Sequence, residues 1–157
     1  MIFSKAIKQG FINSYAVFLY HLFEQQVFDL HRWFKFHLRE GRVKETSVKK
    51  GLKFIKDKTS IDHTSIPGWE KLDELRLLAN TIKHTEGDSC EELKAKRVDL
   101  FQRPGEKVGE GKEVLSETSG PFPLFGEGIY VEENDLWEYF KNVKTFWREL
   151  SKEFRQL

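Results

Sequence analysis

The sequence predicts an all-α fold, an antiparallel helical bundle of four to five helices with a long loop and minimal extended structure. Three observations carry this. Apolar residues return every three or four positions over several long segments. The one short β-branched run is Gly128-Ile129-Tyr130-Val131. The length, 157 residues, suits one domain, 1–157, whose core needs no covalent staple.

The first helix is expected from about Gly10 to Arg39. Ile12, Ala16, Leu19, Phe23, Val27, Leu30 and Phe34 form its main stripe. Phe11, Tyr15, Phe18, Leu22 and Trp33 form a second stripe, so this helix is expected to be central, with neighbours on both sides. Gly41 is the expected stop. A second helix begins with Thr46 or Ser47 as N-cap; its stripe is Val48, Leu52 and Ile55, and Gly51 weakens it. Residues 59–66 read as a linker. A third helix starts near Pro67 and buries Leu72, Leu75, Leu78, Ala79 and Ile82, with Gly87 after its end. Ser89 and Glu92 suggest a capping box for a short helix reaching about Arg97.

Residues 103–128 are rich in glycine and proline and are expected to form a long loop. Residues 128–131 suit an isolated strand. The last helix runs from about Glu132–Asn134 to Gln156. Its stripe is Leu136, Phe140, Val143, Trp147, Leu150 and Phe154, widened by Tyr139 and Phe146. Early connections of about 6–12 residues favour antiparallel neighbours.

Composition excludes several classes. Fourteen Phe, four Trp and four Tyr argue against intrinsic disorder. A single cysteine, Cys90, excludes an internal disulfide and a cysteine-built zinc site. No window has the ~18 apolar residues of a membrane span. The run Phe11–Phe23 lacks a small-residue cleavage site and reads as a buried helix, so no membrane contact and a cytoplasmic location are expected. His21-x-x-Glu24 is too little for a metal centre, and Gly109-Glu-Gly111 is not a phosphate loop, because no Gly-Lys-Ser/Thr element follows. Neither a metal nor a cofactor is expected. Residues 1–60 hold 12 basic and 5 acidic side chains, residues 61–157 hold 14 and 20. The basic excess lies between Arg32 and Lys58, either as a solvated face or as an attraction for phosphate backbones.

The segment Leu75-Arg76-Leu77-Leu78-Ala79-Asn80-Thr81-Ile82-Lys83-His84 carries the candidate chemistry. Arg76, Asn80 and His84 stand at i, i+4 and i+8, and drift by only about 80° around a helix. Lys83 lies beside them. Arginine offers a fixed fork of donors to phosphate oxygens. Histidine moves protons near neutral pH, and asparagine can orient either partner. Such a set suits metal-independent RNA cleavage with the 2′-hydroxyl as nucleophile. The same residues also suit a helix C-terminus that attracts cations and an arginine paired with Asp73.

This segment resembles the core motif of the HEPN superfamily, small helical-bundle domains that include metal-independent ribonucleases and inert binding or scaffolding members. The family motif is Arg, four to six residues, then His, with a polar residue such as Asn after the Arg. Asn80, His84 and the following Gly87 match; Ala79 stands where the Arg would be, and Arg76 lies one turn earlier. A wider resemblance, to a group of uncharacterised bacterial proteins, covers His21-Leu22-Phe23-Glu24-Gln25, Leu75–His84, Ile129-Tyr130-Val131 and Phe146-Trp147. The resemblance implies a homodimer with the motif at a shared cleft. It further implies RNA or a nucleotide as ligand and, in a defence or toxin system, an antitoxin or other partner protein.

The expected roles follow. His84 is the acid–base group, Arg76 the phosphate clamp and Asn80 the orienting group. Lys83, Arg32 and Lys35 bind nucleic-acid backbone, and His21, Glu24 and Gln25 support the cleft. The alternatives are a catalytically inert HEPN-like module that binds nucleotide, nucleic acid or protein, and an interaction protein working through the 103–128 loop or an apolar face. Tyr20, Phe28 and Phe36 are the aromatics expected to be exposed as stacking platforms or anchors.

Overall fold

The computed structural model describes residues 2–43, 47–84, 87–102 and 128–156. Among these residues the protein is all-α, a helical bundle with no strand. The helices are α1 (Ile2–His37), α2 (Val48–Thr59), α3 (Trp69–His84), α4 (Asp88–Lys96) and α5 (Glu133–Phe154), with 3₁₀ turns at His63–Ser65 and Val98–Phe101. No helix is long and apolar enough to cross a membrane. The expected 103–128 loop lies outside the described residues, save Gly128. The chain packs as two compact units, one of residues 1–17 and 74–136, the other of residues 18–73 and 137–157.

In the first unit, Ala16, Leu75, Leu77, Leu78, Cys90, Leu93, Leu100, Ile129 and Val131 are buried. Residues 128–131 are not a strand. Their backbone polar groups are met by side chains of α1 and by the 3₁₀ turn instead. The Asn13 amide donates to the Ile129 carbonyl at 3.0 Å, and the Gln9 amide donates to the Val131 carbonyl at 2.8 Å and to Asn13 Oδ1 at 2.9 Å. The Tyr130 N–H donates to the Leu100 carbonyl at 2.7 Å. Asn13 is therefore buried but hydrogen-bonded, as burial of an amide demands. Arg97 gathers three carboxylates: Glu74 at 2.6 Å, Asp99 at 2.7 Å and Asp135 at 2.8 Å. Ser89 does not cap α4. Gly87, at φ +119°, holds the N-cap position without a side-chain bond, and Ser89 falls inside the first turn.

In the second unit the core is aromatic. Phe23 meets Phe146 edge-on, with ring centres 5.6 Å apart, and Trp147 at 5.6 Å; Phe34 meets Phe154 at 5.4 Å. These pairs make α1 and α5 advance in the same sense. α3 opposes α5: Gly68 faces Asn142 and Phe146, and Lys71 lies over the Tyr139 ring. α2 runs beside α1 in the same sense, from Gly51 against Val27 to Phe54 against His31. A ten-residue connection, 38–47, can span about 33 Å, so a short link does not compel an antiparallel pair. Ser47 caps α2, its hydroxyl accepting from Lys50 N–H at 3.2 Å. Gly51 has a positive reason to be glycine, since a Cβ there would sit 3.0 Å from Val27 Cγ1.

Five sequence expectations shift. α3 starts at Trp69 rather than Pro67, because Gly68 carries the turn into it at φ +96°. α1 ends through Arg39, not Gly41. Glu40 N–H donates to Lys35 O, Arg39 N–H donates to Phe36 O, and Arg39 sits left-handed at φ +56°. The second stripe of α1 is not packed: Phe11, Tyr15, Phe18, Leu22 and Trp33 are all exposed. The helix buried on most sides is α3, where Leu72, Glu74, Leu75, Leu77, Leu78, Ala79 and Thr81 are covered. On α5 the buried stripe is Tyr139, Val143, Phe146 and Leu150, and Phe140 stands outside it beneath the Lys144 ammonium.

Candidate functional site

Between Leu72 and Thr81, only Asp73, Arg76 and Asn80 of α3 are less than fully buried. They mark one strip, which Lys83 and His84 continue into solvent at the last turn. The strip exists because every other face of this stretch is leucine, alanine, a hydroxyl bonded back to its own helix, or a paired glutamate. Thr81 Oγ1 donates to the Leu77 carbonyl at 2.8 Å, and Glu74 takes the Arg97 guanidinium. From Arg76 to His84 the strip is about 12 Å long at 1.5 Å per residue. Arg76 reaches towards Glu92 of α4, with 4.0 Å between guanidinium nitrogen and carboxylate oxygen. Ala79 is wholly buried, so the position directly before Asn80 faces the interior.

The other expected site residues belong to the second unit. His21 Nδ1 lies 3.6 Å from Glu24 Oε2, with the imidazole more than half exposed; Gln25 is exposed. Arg32 is exposed and pairs with Asp29 at 3.1 Å. Lys35 stands 5.6 Å from the centre of the Phe54 ring. Arg76, Asn80, Lys83 and His84 thus share one helix face in the first unit, and His21, Glu24, Gln25, Arg32 and Lys35 share α1 in the second.

Sequence reasoning named Arg32, Lys35 and Phe36 separately but did not bring them together with Arg39 and Arg42. A surface pocket of about 630 Å³ opens at the end of α1, lined by these two residues with Phe36, Arg39 and Arg42. Phe36 is 77% exposed. Beside it, the Trp33 and His37 rings stack with centres 4.1 Å apart, and His37 Nδ1 lies 2.9 Å from the Trp33 carbonyl oxygen. The readable signal was an aromatic at every few positions within a run of cations, Arg32-Trp33-x-Lys35-Phe36-x-x-Arg39. Of the three aromatics expected to be exposed, Phe36 is, Phe28 is half-buried and Tyr20 is in the core.

Two imidazoles, the buried His31 and the half-buried His63, complete the second unit. Burial pushes the pKa of His31 below its ordinary value, and the nearby Lys35 ammonium adds to this. Burial likewise lowers His63, which rests edge-on against Trp69 at 4.5 Å; Asp62 opposes that shift. Asp62 itself is held well below the usual carboxylate range by the Lys56 ammonium at 2.5 Å and by the Thr64 N–H and hydroxyl. Among the described residues there is no group of three or more His, Cys, Asp or Glu placed to hold a metal. Cys90 is buried.

Fold and site together define an all-α protein with a polar Arg–Asn–His strip on its most buried helix and a cationic, aromatic pocket at the end of its longest one. No family model, curated protein or solved structure matches the chain.

Proposed function

We propose that the chain is a HEPN-like protein that acts on RNA as a metal-independent endoribonuclease of a defence or toxin system. The observation that supports this most is the strip itself: α3 is covered on all sides but one over Leu72–Thr81, and that side carries Arg76 and Asn80 and leads to His84. In this reading Arg76 grips a phosphate and Asn80 orients it. Neutral His84 takes the proton from a ribose 2′-hydroxyl while the 2′-oxygen bonds to phosphorus and the P–O5′ bond breaks. The products are a cyclic phosphate and a 5′-hydroxyl, whose proton comes from water or from the imidazolium of a second copy. Lys83, Arg32 and Lys35 bind backbone in the same reading, with His21, Glu24 and Gln25 in support. A homodimer belongs to it. The exposed Phe11, Tyr15, Phe18 and Leu22 of α1 would serve as apolar contact, and an antitoxin would be the natural competitor.

The experiment is incubation of labelled single-stranded RNA with the protein in EDTA. Cleavage is expected, and His84→Ala should slow it by about 10²–10⁴-fold, the range of a lost general acid–base group. Cleavage that survives both His84→Ala and Arg76→Ala removes the site.

A second reading, an inert binding module of the same fold, is favoured by Ala79. The buried backbone neighbour of Asn80 offers no guanidinium, and Arg76 inclines towards Glu92. Absence of cleavage in EDTA, with RNA binding retained, selects this reading.

A further inference from the structure

We infer that the C-terminal end of α1 is a binding site for single-stranded nucleic acid, with phosphates held by Arg32, Arg39 and Arg42 and a base stacked on Phe36. The inference deepens the backbone-binding role given above to Arg32 and Lys35, but it needs no proton transfer and so does not depend on the cleavage.

Four observations converge on it. The first is charge left over after local pairing. Glu40 is held by Lys58, and Asp29 serves Arg32 alone. Arg39 and Arg42 have no carboxylate partner among the described residues. The free carbonyls of a helix end amount to about half a negative charge, far less than the guanidiniums of Arg39 and Arg42 and the Lys35 ammonium supply. The second is Phe36, which lines the pocket with its ring mostly in water. A large exposed ring within a run of cations is the platform on which bases stack irrespective of sequence. Trp33, exposed on its far side and backed by His37, offers a second such face.

The third is backbone strain at Arg39. Its left-handed conformation, φ +56°, closes α1 at the position where glycine is the ordinary occupant. A non-glycine residue held there costs free energy, and such outliers gather at functional sites. The arginine brings its guanidinium to the pocket rim. The fourth is shape. A concavity of about 630 Å³ falls within the size of ligand pockets, roughly 300–1,000 Å³. Cations with exposed aromatics also suit an anionic membrane surface, but a bilayer is read by a convex face and needs no hollow lined with guanidiniums.

Unit composition agrees. Residues 18–73 with 137–157 hold 16 basic and 11 acidic side chains, while residues 1–17 with 74–136 hold 10 and 14. The pocket lies in the cationic unit.

The test uses the full chain carrying His84→Ala, so that cleavage cannot intrude, and a fluorescein-labelled decauridylate followed by anisotropy across a salt series. Binding should weaken with salt. Arg39→Gly with Arg42→Ala should reduce the slope of log K against log salt by about 1.4, since each phosphate contact on a single strand contributes about 0.7. Phe36→Ala should weaken binding by about tenfold and leave the slope unchanged. Arg39→Gly removes backbone strain, so its melting temperature should not fall, which separates lost binding from lost fold. Absence of binding by the parent chain at low salt overturns the inference. So do unchanged affinity and slope in the variants, or phosphatidylserine vesicles that bind through these residues and displace the RNA. Pocket-dependent binding without cleavage by the His84 form of the chain would sink the nuclease reading and leave this one standing.

Discussion

At Gly68 the chain enters α3 with φ +96°, and a Cβ built there would lie 2.5 Å from the Asn142 carbonyl oxygen and 3.2 Å from the Phe146 nitrogen. Both neighbours are helix backbone and cannot step aside. Gly128 has a similar conformation, φ +78°, but nothing within 4 Å of its would-be Cβ. The comparison separates two costs. Gly128→Ala should lose only the conformational term, about 1 kcal/mol. Gly68→Ala adds a backbone collision and should lose about 2–4 kcal/mol. Urea titrations of the two variants check the difference. Equal losses would mean that α5 moves away from the turn freely. The Gly68 requirement was not readable beforehand, because Pro67 attracted the helix start and a close approach between segments 74 residues apart leaves no local mark.

Among the elements, Arg97 is the joint of the first unit. It lies between α4 and a 3₁₀ turn, and it bonds Glu74 of α3, Asp135 of α5 and its near neighbour Asp99. Glu74 is 8% exposed, so its charge relies on that guanidinium. Arg97→Met keeps much of the side-chain volume and takes the guanidinium away from three carboxylates, one of them the buried Glu74. The cost should be about 2–4 kcal/mol, slightly under that of breaking a fully buried pair. Adding Glu74→Gln should recover part of it, and a double-mutant cycle on unfolding free energies checks the coupling. Elements differ in how far the sequence foretold them. α2 and its Ser47 cap were legible because capping is local chemistry. The helical spacing on α1 was legible too, but periodicity cannot tell a stripe that faces a core from one that faces water. Phe11, Tyr15, Phe18 and Leu22 were expected inside for that reason. α3 was read with one apolar stripe, Leu72, Leu75, Leu78, Ala79 and Ile82; Glu74 and Thr81 lie outside it and are buried too, because a distant arginine and a carbonyl one turn back meet their polar groups. The Arg76–Asn80–His84 strip was legible as geometry, since three positions on one helix fix their own spacing. The pocket was legible only in part, as Arg32, Lys35 and Phe36; that Arg39 joins them was not, because a left-handed arginine closing a helix runs against the preference for glycine.

For the molecule as a whole, two imidazoles shielded from water, His31 and His63, set how stability answers to pH. His31 and His63 both have pKa values pushed below 6.5 by burial. In the unfolded chain they titrate at about 6.5. Above that value both states carry neutral imidazoles and the two histidines contribute no pH dependence. Below it the unfolded chain binds protons that the folded chain refuses, so stability falls as pH falls, until the depressed folded values are passed. The carboxylates act in a separate window. Asp62, Glu133 and Glu149 have lowered values, so their contribution is complete only above about pH 5 and is lost progressively in more acid solution. The melting temperature should therefore begin to drop near pH 6.5, well before any carboxylate protonates. His31→Gln and His63→Gln should each flatten the curve between pH 6.5 and pH 5, whatever they do to stability at pH 8. A parent melting temperature that stays level down to pH 5 would show that both imidazoles gain a proton without leaving their places. The contacts with Phe54 and Trp69 would then not be holding them neutral.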